Sequence, residues 1–131
     1  MSLAVWLAVA AGGALGSTAR FAVGQWARAL APGWPWGTWT VNLLGSFAIG
    51  LLIAVFALRP APDWVRLGLV SGLLGGFTTF SAFSLESIEL LRGGGVVELA
   101  GYVLATLVFG LTACALGLWL GYAGPVDFTG V

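Results

Sequence analysis

The sequence predicts an all-α membrane protein with four transmembrane helices, a break in the third helix, and assembly as an antiparallel homodimer of dual topology. Composition indicates the membrane: 60% of the 131 residues are hydrophobic and 8% are charged, whereas soluble domains average about 25% charged residues. Two adjacent glycines inside the third apolar run indicate the break. An even distribution of arginines between the two sides of the membrane indicates the dual topology.

Four stretches of the chain carry no charged side chain, and each approaches or exceeds the roughly 20 residues that a helix needs to cross a bilayer. They are Met1–Ala19, Ala29–Leu58, Leu67–Leu85 and Leu99–Val126. The apolar pattern predicts helical spans at about residues 3–30, 37–58, 64–91 and 97–122. Short segments rich in proline and glycine separate them, so we expect one four-helix domain over residues 1–131, with a solvated tail from Ala123.

The loop arginines are balanced across the predicted membrane. Arg59 and Arg66 lie on the side of both termini, and Arg28 and Arg92 lie on the other side. Positive charge normally accumulates on the cytoplasmic side and sets the orientation, and here it gives no preference. We therefore expect insertion in both directions and pairing with an inverted copy. The alternative is that Arg20 or the lipid composition selects one orientation.

Glycines recur at a spacing of four residues on three of the spans. They are Gly12 and Gly16, then Gly68, Gly72 and Gly76, and finally Gly117 and Gly121. This spacing places small residues on one helix face and lets helix backbones approach closely in lipid. The pattern predicts tight packing and gives no information about a substrate.

The third span contains the segment Gly75–Ser84, with the sequence GGFTTFSAFS. Glycines and β-branched residues are weak helix formers, so we expect the helix to break here. Carbonyl groups freed by a break at membrane depth can coordinate a cation, and those of Gly75 and Thr78 are the candidates. The alternative is a continuous helix whose threonine hydroxyls bond to the preceding turn.

Polar and aromatic side chains at helical spacing surround the predicted break. Asn42 and Ser46 share a face of the second span, as Tyr102 and Thr106 do on the fourth. Polar groups inside a membrane are costly, and they mark functional sites. Phe80 and Phe83 are either core packing or rings whose electropositive edges face an anion. Neutral hydrogen-bond donors beside ring edges suit a small anion that accepts hydrogen bonds strongly.

Two charged residues near this region have more than one interpretation. Glu86 follows Phe83 on the same broad face, and it is either a solvated vestibule charge or a hydrogen-bonded group at a pore entrance. Arg20 follows the glycines of the first span. Its side chain either reaches the interface or neutralises carbonyl groups of a neighbouring helix.

Three segments closely resemble the signature segments of the Fluc (CrcB) family of fluoride channels. They are residues 13–20 (GALGSTAR), 37–47 (GTWTVNLLGSF) and 75–86 (GGFTTFSAFSLE). The length, the four spans and the order of the segments match as well. The resemblance implies a passive fluoride-selective channel of the inner (plasma) membrane, which exports fluoride, gives fluoride resistance and has two pores per antiparallel homodimer.

The resemblance also implies roles for individual pore residues. Asn42 would donate a hydrogen bond to fluoride, and Phe80 and Phe83 would line the pathway with their ring edges. The remaining pore residues would be Thr79, Ser81, Tyr102 and Thr106.

Further roles follow from the same resemblance. A structural Na⁺ at the dimer interface would be held by the carbonyls of Gly75 and Thr78 from both subunits. Arg20 and Glu86 would be structural or vestibule residues. Gly110 stands where the family often has serine or threonine, so the far end of the polar track on the fourth span is left open.

Other functions are less compatible with the sequence. A dual-topology multidrug exporter needs an acid in its first helix for proton coupling, and no acid precedes Asp63. The absence of histidine and lysine, with no recognisable nucleophile and base, argues against an enzyme. Five arginines balanced by five acids give no basic surface for nucleic acid. A structural protein without transport activity remains the third possibility.

We predict that a reporter active on only one side of the membrane, fused to the C-terminus, gives signal in both orientations. The physical reason is the balance of loop arginines, which leaves neither orientation favoured. Paired reporters of opposite sidedness in the same cells provide the measurement. Signal from one side alone would contradict dual insertion.

Overall fold

The computed structural model describes residues 1–123, which form helices joined by short loops. The elements are α1 (Leu3–Leu30), α2 (Trp36–Leu58), α3 (Asp63–Leu67), a π-helical segment (Gly68–Leu74), α4 (Gly75–Phe77), α5 (Phe80–Arg92) and α6 (Val96–Ala123). The third span, Asp63–Arg92, comprises α3 to α5. Four helices in the described residues are long and apolar enough to cross a membrane, which confirms the four predicted spans. The tail predicted beyond Ala123 lies outside the described residues.

The third span is broken at two threonines between α4 and α5. Thr78 has φ −84° and ψ 161°, and Thr79 has φ −154° and ψ 120°, so both are extended. The Thr78 hydroxyl nevertheless donates to the carbonyl of Leu74 at 3.0 Å, as a threonine in a continuous helix does. The extended backbone at Thr78 and Thr79 confirms the predicted break. The hydroxyl bond of Thr78 to the preceding turn, expected for a continuous helix, is present as well.

Two pairs of helices pack closely through glycine. Helix α1 lies against the first half of the third span, and α2 lies against α6. A Cβ atom on Gly16 would lie 2.8 Å from the Phe77 amide nitrogen, and one on Gly72 would lie 2.8 Å from the Val9 carbonyl oxygen. A Cβ atom on Gly117 would meet the carbonyl of Phe47. The glycines at four-residue spacing thus lie at close backbone contacts, as expected.

Helix α5 is held less tightly than the other long helices. It contacts α6 and, less extensively, α2. The Phe80 side chain, at its first turn, is 79% exposed. In a single chain, the face of the protein beside the break is consequently open.

We predict that Gly16→Ala lowers the stability of the folded protein, whereas Gly101→Ala does not. The new Cβ at position 16 would press on backbone atoms of Leu73 and Phe77, while a Cβ at position 101 has nothing within 4 Å. Overpacking costs about 1–3 kcal/mol, and alanine in an exposed helix position is favoured over glycine by about 1 kcal/mol. Thermal unfolding in detergent measures both variants. Equal unfolding temperatures would contradict the proposed packing.

Candidate functional site

A groove of about 390 Å³ lies beside the break, between α2, the third span and α6. Its lining includes most of the predicted pore and cation residues: Asn42, Gly75, Thr78, Thr79, Phe80, Phe83 and Thr106. Ser46 and Gly110 also contribute. None of the residues that line this groove carries a formal charge. The predicted residues Ser81 and Tyr102 lie outside the lining.

The Asn42 side chain is joined to the break by two hydrogen bonds. Its Nδ2 donates to the Thr79 carbonyl at 2.9 Å, and its Oδ1 accepts from the Thr79 amide at 2.8 Å. A primary amide has two N–H donors, so the second Nδ2 hydrogen can still donate to a ligand in the groove. The link to the backbone of the third span was not expected from the sequence.

Thr79 begins helix α5 as its N-cap residue. Its Oγ1 accepts a hydrogen bond from the Ala82 amide at 3.2 Å, which satisfies one of the free amides of the first turn. The same oxygen shares a 3.2 Å hydrogen bond with Ser81 Oγ. The hydroxyls of these two predicted pore residues are therefore engaged with each other and with the start of α5.

The two phenylalanine rings share the groove but differ in environment. Their centroids are 5.8 Å apart, with an angle of 42° between the ring planes. Phe80 is exposed, whereas Phe83 is half-buried and lies 5.1 Å from the ring of Tyr102. Near them the Thr106 hydroxyl is buried and has no hydrogen-bond partner among residues 1–123. The groove is thus lined by two phenyl rings and by a threonine whose buried hydroxyl has no partner among the described residues.

Glu86 connects three helices through its carboxyl group. Oε1 accepts from the Thr38 hydroxyl of α2, and Oε2 accepts from the Tyr102 hydroxyl of α6, each at 2.7 Å. Tyr102 is fully buried and Thr38 is nearly so. The sequence left open whether Glu86 is a solvated charge or a hydrogen-bonded group, and its two contacts are those of a hydrogen-bonded group. The role of Thr38 was not predicted from the sequence, although Thr38 lies one turn before Asn42 on the same helix face.

A second cavity, of about 380 Å³, lies on the other side of the break. Its lining includes Arg20 and Arg28 from α1, together with Thr38, Thr79 and Glu86. Thr79 lines both this cavity and the groove. This cavity is thus lined by charged side chains, whereas the groove is lined by neutral residues.

No group of three or more histidine, cysteine or acidic residues that could hold a metal ion occurs in the described part of the chain. Oxygen atoms of the backbone and of neutral side chains are the other groups that can bind a hard cation. Gly75 and Thr78, whose carbonyls the sequence predicts as cation ligands, both line the groove.

The chain is similar to a large set of known proteins. The family described as CrcB-like protein, Camphor Resistance (CrcB), matches residues 7–118, a range that contains every residue of the site. The fluoride-specific ion channel FluC of Agrobacterium fabrum is 51% identical over 115 residues, which cover 86% of this chain and 92% of the relative. The FluC channel of Bordetella petrii is 47% identical over 119 residues, which cover 90% and 91%.

We predict that Tyr102→Phe destabilises the protein by about 1–3 kcal/mol, the usual cost of leaving a buried polar group without its hydrogen bond. The substitution removes the donor to Glu86 and keeps the ring against Phe83. The matched control is Tyr122→Phe, since Tyr122 is 43% exposed at the end of α6. Unfolding in detergent gives the free energies.

A double variant with Glu86→Gln separates the hydrogen bond from other effects. Residues in direct contact give non-additive changes, so the double variant should lose less stability than the sum of the two single variants. Equal losses in Tyr102→Phe and Tyr122→Phe would show that the bond to Glu86 does not stabilise the fold.

Proposed function

The chain belongs to the CrcB-like protein family, and we propose that it is a passive ion channel selective for fluoride, through which F⁻ leaves the cytoplasm. The observation that carries the proposal is the neutral groove beside the break. There the Asn42 amide and the Thr106 hydroxyl line the same space as two phenyl rings. The names of the relatives as fluoride-specific ion channels support it.

The chemistry of the groove fits a small anion. Fluoride is strongly hydrated, so a narrow pore has to replace its water with closely placed donors, while the larger chloride is excluded by size. Conduction also requires that the ion leaves as easily as it enters. A lining without arginine or lysine provides donors without a charge that would trap the ion.

Each polar residue of the site has a role in this proposal. Asn42 donates to fluoride through its second Nδ2 hydrogen, and Thr106 donates through its unpaired hydroxyl. Phe80 and Phe83 present ring edges to the ion. Ser81 and Thr79 border the path at the break, and Tyr102 packs against Phe83, which holds that ring in place.

We further propose that two chains assemble in opposite orientations in the inner membrane and form two pores. Phe80 is 79% exposed in the single chain, and the groove beside it is open along the same face. An inverted second copy would cover this face and narrow the groove. The balanced loop arginines permit both orientations.

A Na⁺ ion between the two copies would complete the site. Gly75 and Thr78 at the break line the groove, and carbonyl oxygen atoms are suitable ligands for a hard cation. The carbonyls of Gly75 and Thr78 would bind the ion, as would the same carbonyls of the inverted copy. The bound positive charge would lower the cost of bringing an anion to the middle of the membrane.

We predict that the purified protein in liposomes releases fluoride but not chloride, and that Phe83→Ile lowers the fluoride flux at least about tenfold, or about 1.4 kcal/mol in barrier height. Isoleucine fills similar space without the electropositive ring edge. A fluoride-selective electrode measures the efflux. The control is Phe109→Ile, because Phe109 packs against Trp39 and does not line the groove.

Several results would contradict this function. Comparable fluxes of chloride and fluoride would exclude a fluoride-selective pore. No flux at all in properly reconstituted protein would favour a structural role for the polar residues. Full flux in both Phe80→Ile and Phe83→Ile would remove the rings from the pathway.

A further inference from the structure

The hydrogen bonds at the break explain why two particular carbonyl groups are free. In a continuous α-helix the amide of residue 79 would donate to the carbonyl of Gly75, and the amide of residue 82 would donate to that of Thr78. The Thr79 amide donates instead to Asn42 Oδ1 at 2.8 Å. The Ala82 amide donates instead to Thr79 Oγ1 at 3.2 Å. Two side chains thus take the donors that would otherwise close the helix.

We propose that Asn42 and Thr79 are positioning residues of the cation site: by diverting these two amides, they keep the Gly75 and Thr78 carbonyls unpaired and able to bind Na⁺. The inference rests on the cation site in the proposed function. It adds a cause for the open backbone, and it assigns that cause to two side chains that do not themselves bind the cation.

The primary amide of Asn42 is suited to this task. Thr79 is only 8% exposed, so its backbone groups have little access to water, and an unsatisfied backbone group at membrane depth costs several kcal/mol. Asn42 satisfies both groups, because Nδ2 donates to the Thr79 carbonyl and Oδ1 accepts from the Thr79 amide. An apolar residue at position 42 would satisfy neither group, and the Thr79 amide would regain Gly75 as its nearest helical acceptor.

Two other carbonyls near the break already accept hydrogen bonds and are less free to bind a cation. The Thr79 carbonyl already accepts from Asn42, and the Leu74 carbonyl accepts from both the amide and the hydroxyl of Thr78. The carbonyls of Gly75 and Thr78 have each lost the amide four residues ahead. Among the carbonyls released at the end of α4, those of Gly75 and Thr78 belong to residues that line the groove, whereas Gly76 and Phe77 do not line it.

The test is the dependence of thermal unfolding on Na⁺ concentration, measured on the full chain in detergent without fluoride. N-methyl-D-glucamine replaces Na⁺ at constant ionic strength. A ligand that binds only the folded state raises stability according to its concentration relative to its Kd, so the Na⁺ concentration at which stabilisation sets in reports affinity independently of transport. A general loss of packing would lower every unfolding temperature without moving that concentration.

We predict that Asn42→Ala and Thr79→Val each raise the required Na⁺ concentration about tenfold or more, corresponding to about 1.4 kcal/mol of binding free energy. Thr79→Ser keeps the hydroxyl that caps α5 and should retain the affinity of the original chain. Thr18→Val is the matched control, since the Thr18 hydroxyl bonds within α1 to the Ala14 carbonyl. If Asn42→Ala does not fold, the comparison of Thr79→Val with Thr79→Ser decides the question.

The outcomes separate this inference from the function on which it rests. If the original chain responds to Na⁺ and both variants respond at the same concentration, the positioning roles are wrong while the cation site stands. If the original chain shows no response beyond that of N-methyl-D-glucamine, the cation site is wrong and the inference falls with it. Fluoride efflux, measured separately, tests the channel itself.

Discussion

The interrupted backbone of the third span is the constraint on which the rest of the site depends. Backbone groups released at membrane depth must be satisfied by protein, by water in a cavity or by a ligand. Asn42 satisfies both groups of Thr79, and the Thr79 hydroxyl satisfies the first turn of α5. The break is thus a stable arrangement held by side chains, and the carbonyls left over become available for binding.

Close helix packing at glycine residues away from the break holds the helices on either side of it. The first half of the third span is fixed against α1 by backbone contacts at Gly12, Gly16 and Gly72, and α2 is fixed in the same way against α6. Asn42 of α2 is joined to the break by its two hydrogen bonds to Thr79. Helix α5 has fewer backbone contacts at glycine and is joined to its neighbours chiefly by hydrogen bonds of Thr79 and Glu86. Polar contacts therefore determine the position of the ring-bearing helix.

The sequence predicted the features that depend on local composition. Length and apolar character gave the four spans, and Gly75 and Gly76 indicated the break, because weak helix formers act within a few residues. The interhelical bonds of Asn42 and Glu86 were not predictable in this way, since they depend on how two helices face each other. The π-helical segment Gly68–Leu74 was also missed, because its i→i+5 bonding has no clear signal in a glycine-rich apolar run.

The distribution of charge follows from the same break. Thr79 lines both the cavity that contains Arg20, Arg28 and Glu86 and the uncharged groove. In the proposed channel the two arginines would attract an anion into the charged cavity, where water screens their charge. Beyond Thr79 the ion would meet neutral donors. Attracting an anion needs favourable binding, whereas conducting it needs binding weak enough for the ion to leave. In the proposed channel, charged residues on one side of Thr79 would serve the first requirement and neutral residues on the other side would serve the second.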